Sequence, residues 1–422
     1  MIQPMTMFAL SETEVLSTSS LLKSYFPIFL VSFAVAVVLT PIIRWAAREA
    51  GIVDHPDEAR KLHTKPIAYL GGFVILFATL VGIGLSFTDV VDLPTIMRQV
   101  PYVIVIGMIA IAFTGLIDDV WGLYSWHKTV GQLIAAAAMA QQGIGTEVAK
   151  GFLNGVRIPK ELSEHEFEYL STFFSLDITP AYIFGVIIIA MFILGACNAA
   201  NFIDGLDGLL SGIVAITAIG ILAITLFALE ALTPEKIELI ESSLPVDFLG
   251  MQGLGGITYL GANIVLCMAV LGAVLGFLIY NFNPASIFLG DTGSLLLGYL
   301  CIVMVLMLGE RGQTHLVIAG LIVFALPIMD TALAITRRKM AGKPISEPDA
   351  NHIHHLLMRK YGSVKKAVFV LYSISVLFAI VGVTLAWVHL SVEVGAWIIY
   401  VIAALIFGLI GMKAIKSARK FE

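Results

Sequence analysis

Charged residues are scarce in this chain: Asp, Glu, Lys and Arg together make up 13% of its 422 residues. Hydrophobic residues account for 59%, and the mean hydropathy is +0.94. A soluble domain carries about twice this share of charge. The scarcity therefore excludes a soluble protein, and no nucleic acid is expected as a partner. The chain is predicted to be an all-α polytopic membrane protein.

Cysteine is also rare, with Cys197, Cys267 and Cys301 far apart in apolar segments. This scatter excludes a disulfide framework or a cysteine zinc site. No linker rich in Pro, Gly and Ser divides the chain and no repeat is visible, so residues 1–422 are predicted to form a single integral-membrane domain. The segment before the first apolar run lacks a basic n-region, which favours a retained helix over a cleaved signal peptide.

Apolar runs of about 20 residues, the length that a helix needs to cross a bilayer, recur along the chain. They predict about 11 transmembrane helices, at about 24–46, 67–87, 99–117, 129–145, 179–197, 208–229, 257–280, 293–309, 316–336, 367–388 and 394–413. An outer N-terminus and a cytoplasmic C-terminus place 18 of the 25 Lys and Arg residues inside, in agreement with the positive-inside rule. In the outer loops, Asn154-Gly155 is predicted to form a hairpin turn.

The most informative segment is Asn198-Ala-Ala-Asn201-Phe-Ile-Asp204-Gly-Leu-Asp207-Gly208, which directly follows an apolar run. Carboxylates at the edge of a bilayer are costly and mark ion or phosphate sites more often than loops. Three-residue spacing puts each successive pair of these side chains near one helix face. Gly205 and Gly208 allow a turn or a close approach of the backbone to a ligand.

Further acids lie on the same predicted inner side. Asp118 and Asp119 end the third span, and because adjacent helical residues point about 100° apart, they are expected to have different partners. Lys128 opens the fourth span. In Gly290-Asp291-Thr-Gly-Ser294, Asp291 is a candidate magnesium ligand because other inner-face acids accompany it.

Basic groups and histidines complete the inner side. Arg60 and Lys61 are predicted to hold phosphate; a positive-inside anchor would explain their charges but not the Pro66 and Gly71-Gly72 that follow them. The run His352-Ile-His354-His355 has no accompanying cysteines, so contact with a nucleotide diphosphate is favoured over zinc. Asp330 lies within the ninth span and is predicted to pair with a basic residue such as Arg337, one heptad later.

Together these residues offer carboxylates for Mg²⁺ (or Mn²⁺), cations for phosphates and an apolar bundle for a lipid. That combination suits the transfer of a phosphoryl-linked group from a nucleotide to a membrane lipid. An ion-coupled transporter remains an alternative, but its acids would lie at mid-membrane, often in repeated halves. A CDP-alcohol phosphotransferase would have an Ala-Arg pair after the first Asp-Gly, and Asp204-Gly205-Leu206-Asp207 lacks it. A prenyl synthase would have a third acid after Asp118-Asp119, where Val120-Trp121-Gly122 stands instead.

The inner-loop motifs resemble those of the polyprenyl-phosphate N-acetylhexosamine-1-phosphate transferases. In chain order they are Asp118-Asp119, Asn201 to Gly208, Phe288 to Ser294 and His352 to His355. The peptidoglycan branch, which transfers phospho-N-acetylmuramoyl-pentapeptide, has three consecutive histidines. The His-Ile-His-His run and the Asp54 to His63 segment are similar instead to the WecA/TagO-like branch, and the peptidoglycan activity stays as the alternative.

The resemblance implies transfer of N-acetylglucosamine 1-phosphate from UDP-N-acetylglucosamine (UDP-GlcNAc) to undecaprenyl phosphate, with release of UMP. It implies a site on the cytoplasmic face of a bacterial inner membrane, serving the first membrane step of a cell-envelope glycan pathway. A homodimer is possible. The candidate residues that follow from the resemblance and the residue patterns are, as metal ligands, Asp291 and Asp118; as catalytic residues, Asp118, Asp119, Asp204 and Asp207; and as substrate-binding residues, Asn201, Arg60, Lys61, Lys128, Arg338, His352, His354 and His355.

Overall fold

The computed structural model describes residues 18–55, 66–91, 97, 99–155, 178–232, 258–344, 352–392 and 395–418. Within these ranges the chain is helical, apart from one two-stranded ribbon and short connections. The helices are α1 (Thr18–Glu49), α2 (Gly71–Leu85), α3 (Tyr102–Trp121), α4 (Ser125–Gln141), α5 (Thr146–Gly155), α6 (Pro180–Ile203), α7 (Leu209–Glu230), α8 (Leu260–Asn281), α9 (Gly290–Met307), α10 (Thr314–Val323), α11 (Ala325–Met340), α12 (Ile353–Tyr361), α13 (Val364–Val392) and α14 (Trp397–Ala418).

Seven of these helices are long and apolar enough to cross a membrane: α1, α3, α6, α7, α8, α9 and α13. The pair α10 and α11 passes the same test together but is bent by 78°, whereas α2 and the apolar part of α14 are shorter. The prediction of an all-helical polytopic membrane protein is confirmed, whereas the count of eleven spans and the orientation of the termini stay predictions. The hairpin expected at Asn154-Gly155 is wrong, because both residues belong to α5.

The core of the bundle is α9, which is buried from Thr292 to Met307 and packs against α2, α3 and α6. A helix that is apolar on every face is stable only when other helices surround it. By contrast, only a minority of the residues of α1 and α13 are buried, as in helices at the lipid boundary.

Two glycines bring neighbouring helices against the start of α9. A Cβ atom on Gly72 of α2 would lie 2.2 Å from the Gly293 nitrogen, and one on Gly115 of α3 would lie 2.4 Å from the Thr292 Cα. Small residues allow this backbone-to-backbone packing in membrane bundles. The end of α3, which carries Asp118 and Asp119, is thereby held beside the first turn of α9.

The ribbon consists of β1 (Val53–Asp54) and β2 (Ile67–Ala68), paired antiparallel with Val53 opposite Ala68. The Phe288 backbone N–H donates to the Ala68 carbonyl at 2.9 Å, and the Gly71 N–H returns a bond of the same length to the Phe288 carbonyl. The ribbon therefore fastens the segment between α1 and α2 to the loop that leads into α9.

Candidate active site

Polar side chains from four helix ends meet at one end of the bundle. Asp118 lies in the last turn of α3, Lys128 in the first turn of α4, Asn201 in the last turn of α6 and Asp291 in the first turn of α9. Apolar helices carry such groups most cheaply at their ends, because the charge there stays close to water. The candidate substrate and metal residues of four separate segments thus share one site.

Lys128 joins the two acids of this site. Its Nζ lies 2.8 Å from the Asp118 Oδ2 and also forms an ion pair with the Asp291 Oδ2. The second oxygen of each carboxylate has its own donor: the Leu123 backbone N–H donates to the Asp118 Oδ1 at 2.8 Å, and the Asn201 Nδ2 donates to the Asp291 Oδ1 at 2.9 Å. Both carboxylates are therefore fixed in orientation by neutral groups, and they share one ammonium as their counter-ion.

Asp119 has a different task from its neighbour. Its Oδ1 accepts the Asp291 backbone N–H at 2.7 Å, and its Oδ2 accepts the Thr292 N–H at 3.0 Å and the Thr292 hydroxyl at 2.6 Å. The first N–H groups of a helix have no intrahelical partner and carry partial positive charge. Asp119 therefore caps α9 from another helix and holds the backbone of Asp291, so its contacts are those of a positioning residue rather than of a base.

Asp204 and Asp207, which follow the end of α6, also differ from each other. The Asp207 Oδ2 accepts the Asn283 side-chain amide at 2.8 Å and the Ala285 backbone N–H at 3.0 Å, so Asp207 braces the loop between α8 and α9. For Asp204, burial above all, and then the negative charges of Asp291, Asp119 and Asp207, raise the pKa to about 8. This shift favours the protonated form of Asp204.

The loop between α8 and α9 is held from within by a buried amide. The Asn281 Nδ2 donates to the Ile287 carbonyl at 3.0 Å, and its Oδ1 accepts the Ser211 hydroxyl at 3.1 Å. Together with Asp207 and the β2 strand, these bonds fix the approach to Asp291. A loop that is fixed by hydrogen bonds suits a site in which the acid must keep one position.

The histidine run is anchored by Asp330 of α11, which is 0% exposed. Its Oδ2 lies 2.7 Å from the His352 Nδ1, and its Oδ1 accepts the Ile353 backbone N–H at 2.8 Å. Arg337 was the predicted partner, but the buried carboxylate contacts the histidine run. The reason is that α12 begins beside α11. His352, which is 22 residues from Asp330 in sequence, therefore lies in contact with its carboxylate.

His354 and Arg338 turn toward the Asn201 to Gly208 segment. A Cβ atom on Gly205 would lie 2.2 Å from the His354 Nε2, so only glycine leaves room for this imidazole. Burial, followed by the proximity of His355, lowers the pKa of His354 to about 3, and the ring is neutral at physiological pH. The Arg338 guanidinium lies over the Phe202 ring at 5.8 Å, a cation–π arrangement.

The structure thus brings together Asp118, Asp119, Lys128, Asn201, Asp204, Asp207 and Asp291, and places Arg338, His352, His354 and His355 beside the same segment. Arg60 and Lys61 lie outside the described residues. Sequence reasoning missed Tyr69 as a residue near the site, because it was included in the predicted span at 67–87. In the structure it directly follows β2. Burial, a hydrogen bond to Asp54 and the charges of Asp54, Asp119 and Asp291 raise the pKa of Tyr69 well above its usual range.

The acid pair has the oxygen ligands that a magnesium ion prefers. Among the residues that the structure describes, no three His, Cys, Asp or Glu side chains converge in a metal-binding geometry. Two carboxylates do converge, since the Oδ2 atoms of Asp118 and Asp291 contact a single ammonium. Mg²⁺ is commonly held by one or two carboxylates, with waters and substrate phosphates as its other ligands. The residues present fit a cation that the substrate helps to bind.

The sequence model of glycosyl transferase family 4 matches residues 101–309. That range contains the four helix ends that form the cluster of Asp118, Lys128, Asn201 and Asp291. The histidine run and the α1 to α2 connection lie outside it.

Relatives of similar length extend the likeness over the remaining segments. The "probable undecaprenyl-phosphate N-acetylglucosaminyl 1-phosphate transferase" of Bacillus subtilis (strain 168) is 31% identical over 390 residues, which cover 91% of this chain and 92% of the relative. A "decaprenyl-phosphate N-acetylglucosaminephosphotransferase" of Mycolicibacterium smegmatis is 30% identical, covering 78% of this chain and 74% of the relative. A "phospho-N-acetylmuramoyl-pentapeptide-transferase" of Geobacillus thermodenitrificans is 30% identical, covering 84% of this chain and 95% of the relative.

Proposed function

The chain belongs to glycosyl transferase family 4 and within it to the polyprenyl-phosphate N-acetylhexosamine-1-phosphate transferases, and on this premise we propose that it transfers N-acetylglucosamine 1-phosphate from UDP-GlcNAc to undecaprenyl phosphate. The observation that carries this proposal is the 31% identity with the Bacillus subtilis relative across 91% of the chain. The resemblance drawn from the inner-loop motifs is thereby confirmed at the level of the family. Membership also favours a transferase over an ion-coupled transporter.

The proposed reaction is a single displacement at phosphorus. An oxygen of the lipid phosphate attacks the β-phosphorus of UDP-GlcNAc, the bond from that phosphorus to the bridging oxygen breaks, and UMP leaves with the electron pair. The attacking lipid phosphate is already anionic, so positioning and charge neutralisation are the main requirements. Asp118 orients the lipid phosphate by accepting the remaining P–OH proton in a hydrogen bond, and Lys128 stabilises the charge that develops on the phosphoryl oxygens.

We propose Mg²⁺ as the cofactor, with Mn²⁺ as a substitute, held by Asp291 and Asp118. When bound, the cation neutralises the diphosphate of the donor. Asn201 keeps the Asp291 carboxylate in place through its 2.9 Å hydrogen bond, and Asp119 keeps the Asp291 backbone in place. Asp204, whose pKa is raised, can carry a proton and so limits the negative charge of the same pocket.

The histidine run is proposed to bind the nucleotide sugar. Asp330 holds the His352 Nδ1, which leaves the Nε2 of that ring for a ligand. His354 is neutral and offers hydrogen bonds without adding charge, while His355 and Arg338 add donors beside Phe202. Arg60 and Lys61 remain proposed phosphate contacts on sequence grounds alone.

The topology is part of the proposal. Eleven spans, an outer N-terminus and a cytoplasmic C-terminus would put the site and the basic residues Arg337, Arg338 and Lys339 on the cytoplasmic face of the bacterial plasma membrane, where UDP-sugars are found. The partners are then UDP-GlcNAc, undecaprenyl phosphate and membrane lipids, and a homodimer is compatible with exposed apolar helices. A transferase on this face would begin a cell-envelope glycan.

The test follows a labelled sugar into lipid. Detergent-purified protein is incubated with undecaprenyl phosphate, Mg²⁺ and labelled UDP-GlcNAc or, in a parallel arm, labelled UDP-MurNAc-pentapeptide, and the organic phase is counted. We expect label from UDP-GlcNAc only, and none after chelation of the metal. Label from the pentapeptide donor alone would establish the alternative suggested by the Geobacillus relative, and label from neither would contradict both.

A matched pair of variants ties the result to the site. Asp291→Asn removes one charge from the acid pair and should abolish transfer while the protein still folds. Asp89→Asn makes the same chemical change on an exposed residue beyond the opposite end of α2. It should leave transfer unchanged.

A further inference from the structure

Lys128 occupies the point at which two acid side chains converge from different helices. The Asp118 and Asp291 Oδ2 atoms both contact its Nζ, at 2.8 Å for Asp118. The three side chains are only 22%, 14% and 25% exposed, in the order Lys128, Asp118, Asp291. Two carboxylates so close together and partly removed from water repel each other strongly, and a single cation between them relieves that repulsion.

The carboxylates do not depend on Lys128 for their positions. Asp118 is held by the Leu123 backbone N–H, and Asp291 is held by the Asn201 amide and, through its backbone, by Asp119. The Oδ2 atoms of Asp118 and Asp291 both face the ammonium. They form a preformed pair of oxygen ligands, which is the environment that hard divalent cations prefer.

We propose that Lys128 is the resident counter-ion of this acid pair, holding the place of the divalent cation in the unloaded protein and leaving it when the cation binds. The ammonium then moves to the phosphates of the donor. A lysine is suited to this exchange because its charge sits at the end of a flexible four-carbon stem. The inference rests on the proposed function, of which it specifies the order of events: cation binding releases the side chain that phosphate binding needs.

The exchange makes a specific demand on metal affinity. A cation that must displace an ammonium binds more weakly than one that meets two free carboxylates, so removal of the lysine charge should tighten metal binding. A lysine that merely helps to build the site, or that only binds phosphate, predicts the reverse or no change. Metal affinity measured without any substrate therefore separates these roles.

The experiment measures Mn²⁺ binding to the full-length, detergent-purified protein by electron paramagnetic resonance, with no nucleotide sugar or lipid substrate present. Lys128→Met keeps the length of the side chain and removes its charge, and it should bind Mn²⁺ at least about tenfold more tightly than the unmodified protein, which corresponds to about 1.4 kcal/mol. Lys128→Arg keeps the charge and should bind Mn²⁺ no more tightly than the unmodified protein. Lys150→Met removes a lysine that is paired with Glu147 on α5 and should change nothing.

Unchanged or weaker Mn²⁺ binding by Lys128→Met would overturn the inference, as would tighter binding by Lys150→Met to the same degree. Should Lys128→Met fail to fold, Lys128→Gln, which can still donate to the carboxylates, carries the same expectation. Failure of the proposed function is recognised separately. A protein that transfers no sugar phosphate, yet binds Mn²⁺ more tightly without the Lys128 charge, would refute the transferase assignment and leave the ion exchange standing.

Discussion

Replacement of Asp119 should destabilise the protein far more than replacement of its neighbour Asp118. Asp119 accepts three hydrogen bonds at the start of α9, from two backbone N–H groups and the Thr292 hydroxyl. Hydrogen bonds to a charged group contribute about 1.5 to 3 kcal/mol each, and a negative charge at a helix N-terminus adds about 0.3 to 1 kcal/mol. Because the three bonds share one carboxylate they do not add fully.

We therefore expect Asp119→Ala to lower the free energy of unfolding by about 3 to 5 kcal/mol. Asp118→Asn should lower it by no more than about 1 kcal/mol, since the Leu123 bond survives and a partly exposed ion pair contributes little. Asp119→Asn should fall between the two, because its amide keeps one acceptor and turns a donor toward the α9 N–H groups.

The assay compares thermal unfolding of the purified variants in one detergent at one scan rate, beside transfer of labelled sugar to lipid at a permissive temperature. Both variants should lose transfer. Only the Asp119 variants should also unfold at a clearly lower temperature. Equal stability of Asp119→Ala and Asp118→Asn would refute the capping role of Asp119, and normal transfer by Asp119→Ala would show that Asp291 needs no support from α3.

Three further predictions concern the histidine run. Gly205→Ala places a Cβ atom 2.2 Å from the His354 Nε2; it should raise the KM for the nucleotide sugar several-fold, while Gly195→Ala, which meets no neighbour, should not. Asp330→Asn should weaken binding of the nucleotide sugar by roughly tenfold, measured by calorimetry, because His352 loses its charged partner; unchanged binding would remove the positioning role. Since the pKa of His354 is about 3 in the folded protein against an ordinary value of 6.5, the unfolded chain binds this proton more readily. The contribution of His354 to the free energy of unfolding should therefore be fully present above pH 6.5 and decrease toward pH 3, by at most about 1.4 kcal/mol per pH unit. If the melting temperature of His354→Phe fell just as steeply with acidification as that of the unmodified protein, this prediction would be wrong.

Sequence reasoning located the acids well because the physical signal is strong. Carboxylates and amides at the ends of apolar runs stand out against a background in which charge is avoided, and the 3.6-residue period separates Asp118 from Asp119. Which of the two faces the pocket depends on the rotation of α3 about its axis. That rotation is set by the contact of Gly115 with α9, a residue pair far apart in sequence.

The partner of Asp330 shows a different limit. Periodicity along one helix suggested Arg337, whereas the structure pairs the carboxylate with His352 on a separate element. The 78° bend between α10 and α11 and the docking of α12 decide this contact, and neither leaves a local signal. Likewise Tyr69 was hidden by its apolar surroundings, because an isolated aromatic residue near a predicted span resembles any other interfacial tyrosine.

The cap that Asp119 places on α9 has a consequence for the biogenesis of the protein. The carboxylate and the Asp291 N–H that it accepts are 172 residues apart. During synthesis the earlier helices enter the membrane with an acid whose donors do not yet exist, and the pocket closes only after α9 has followed them. Asp330 and the histidine run join later still. A nascent or truncated chain that lacks α9 thus holds acidic side chains but no complete pocket.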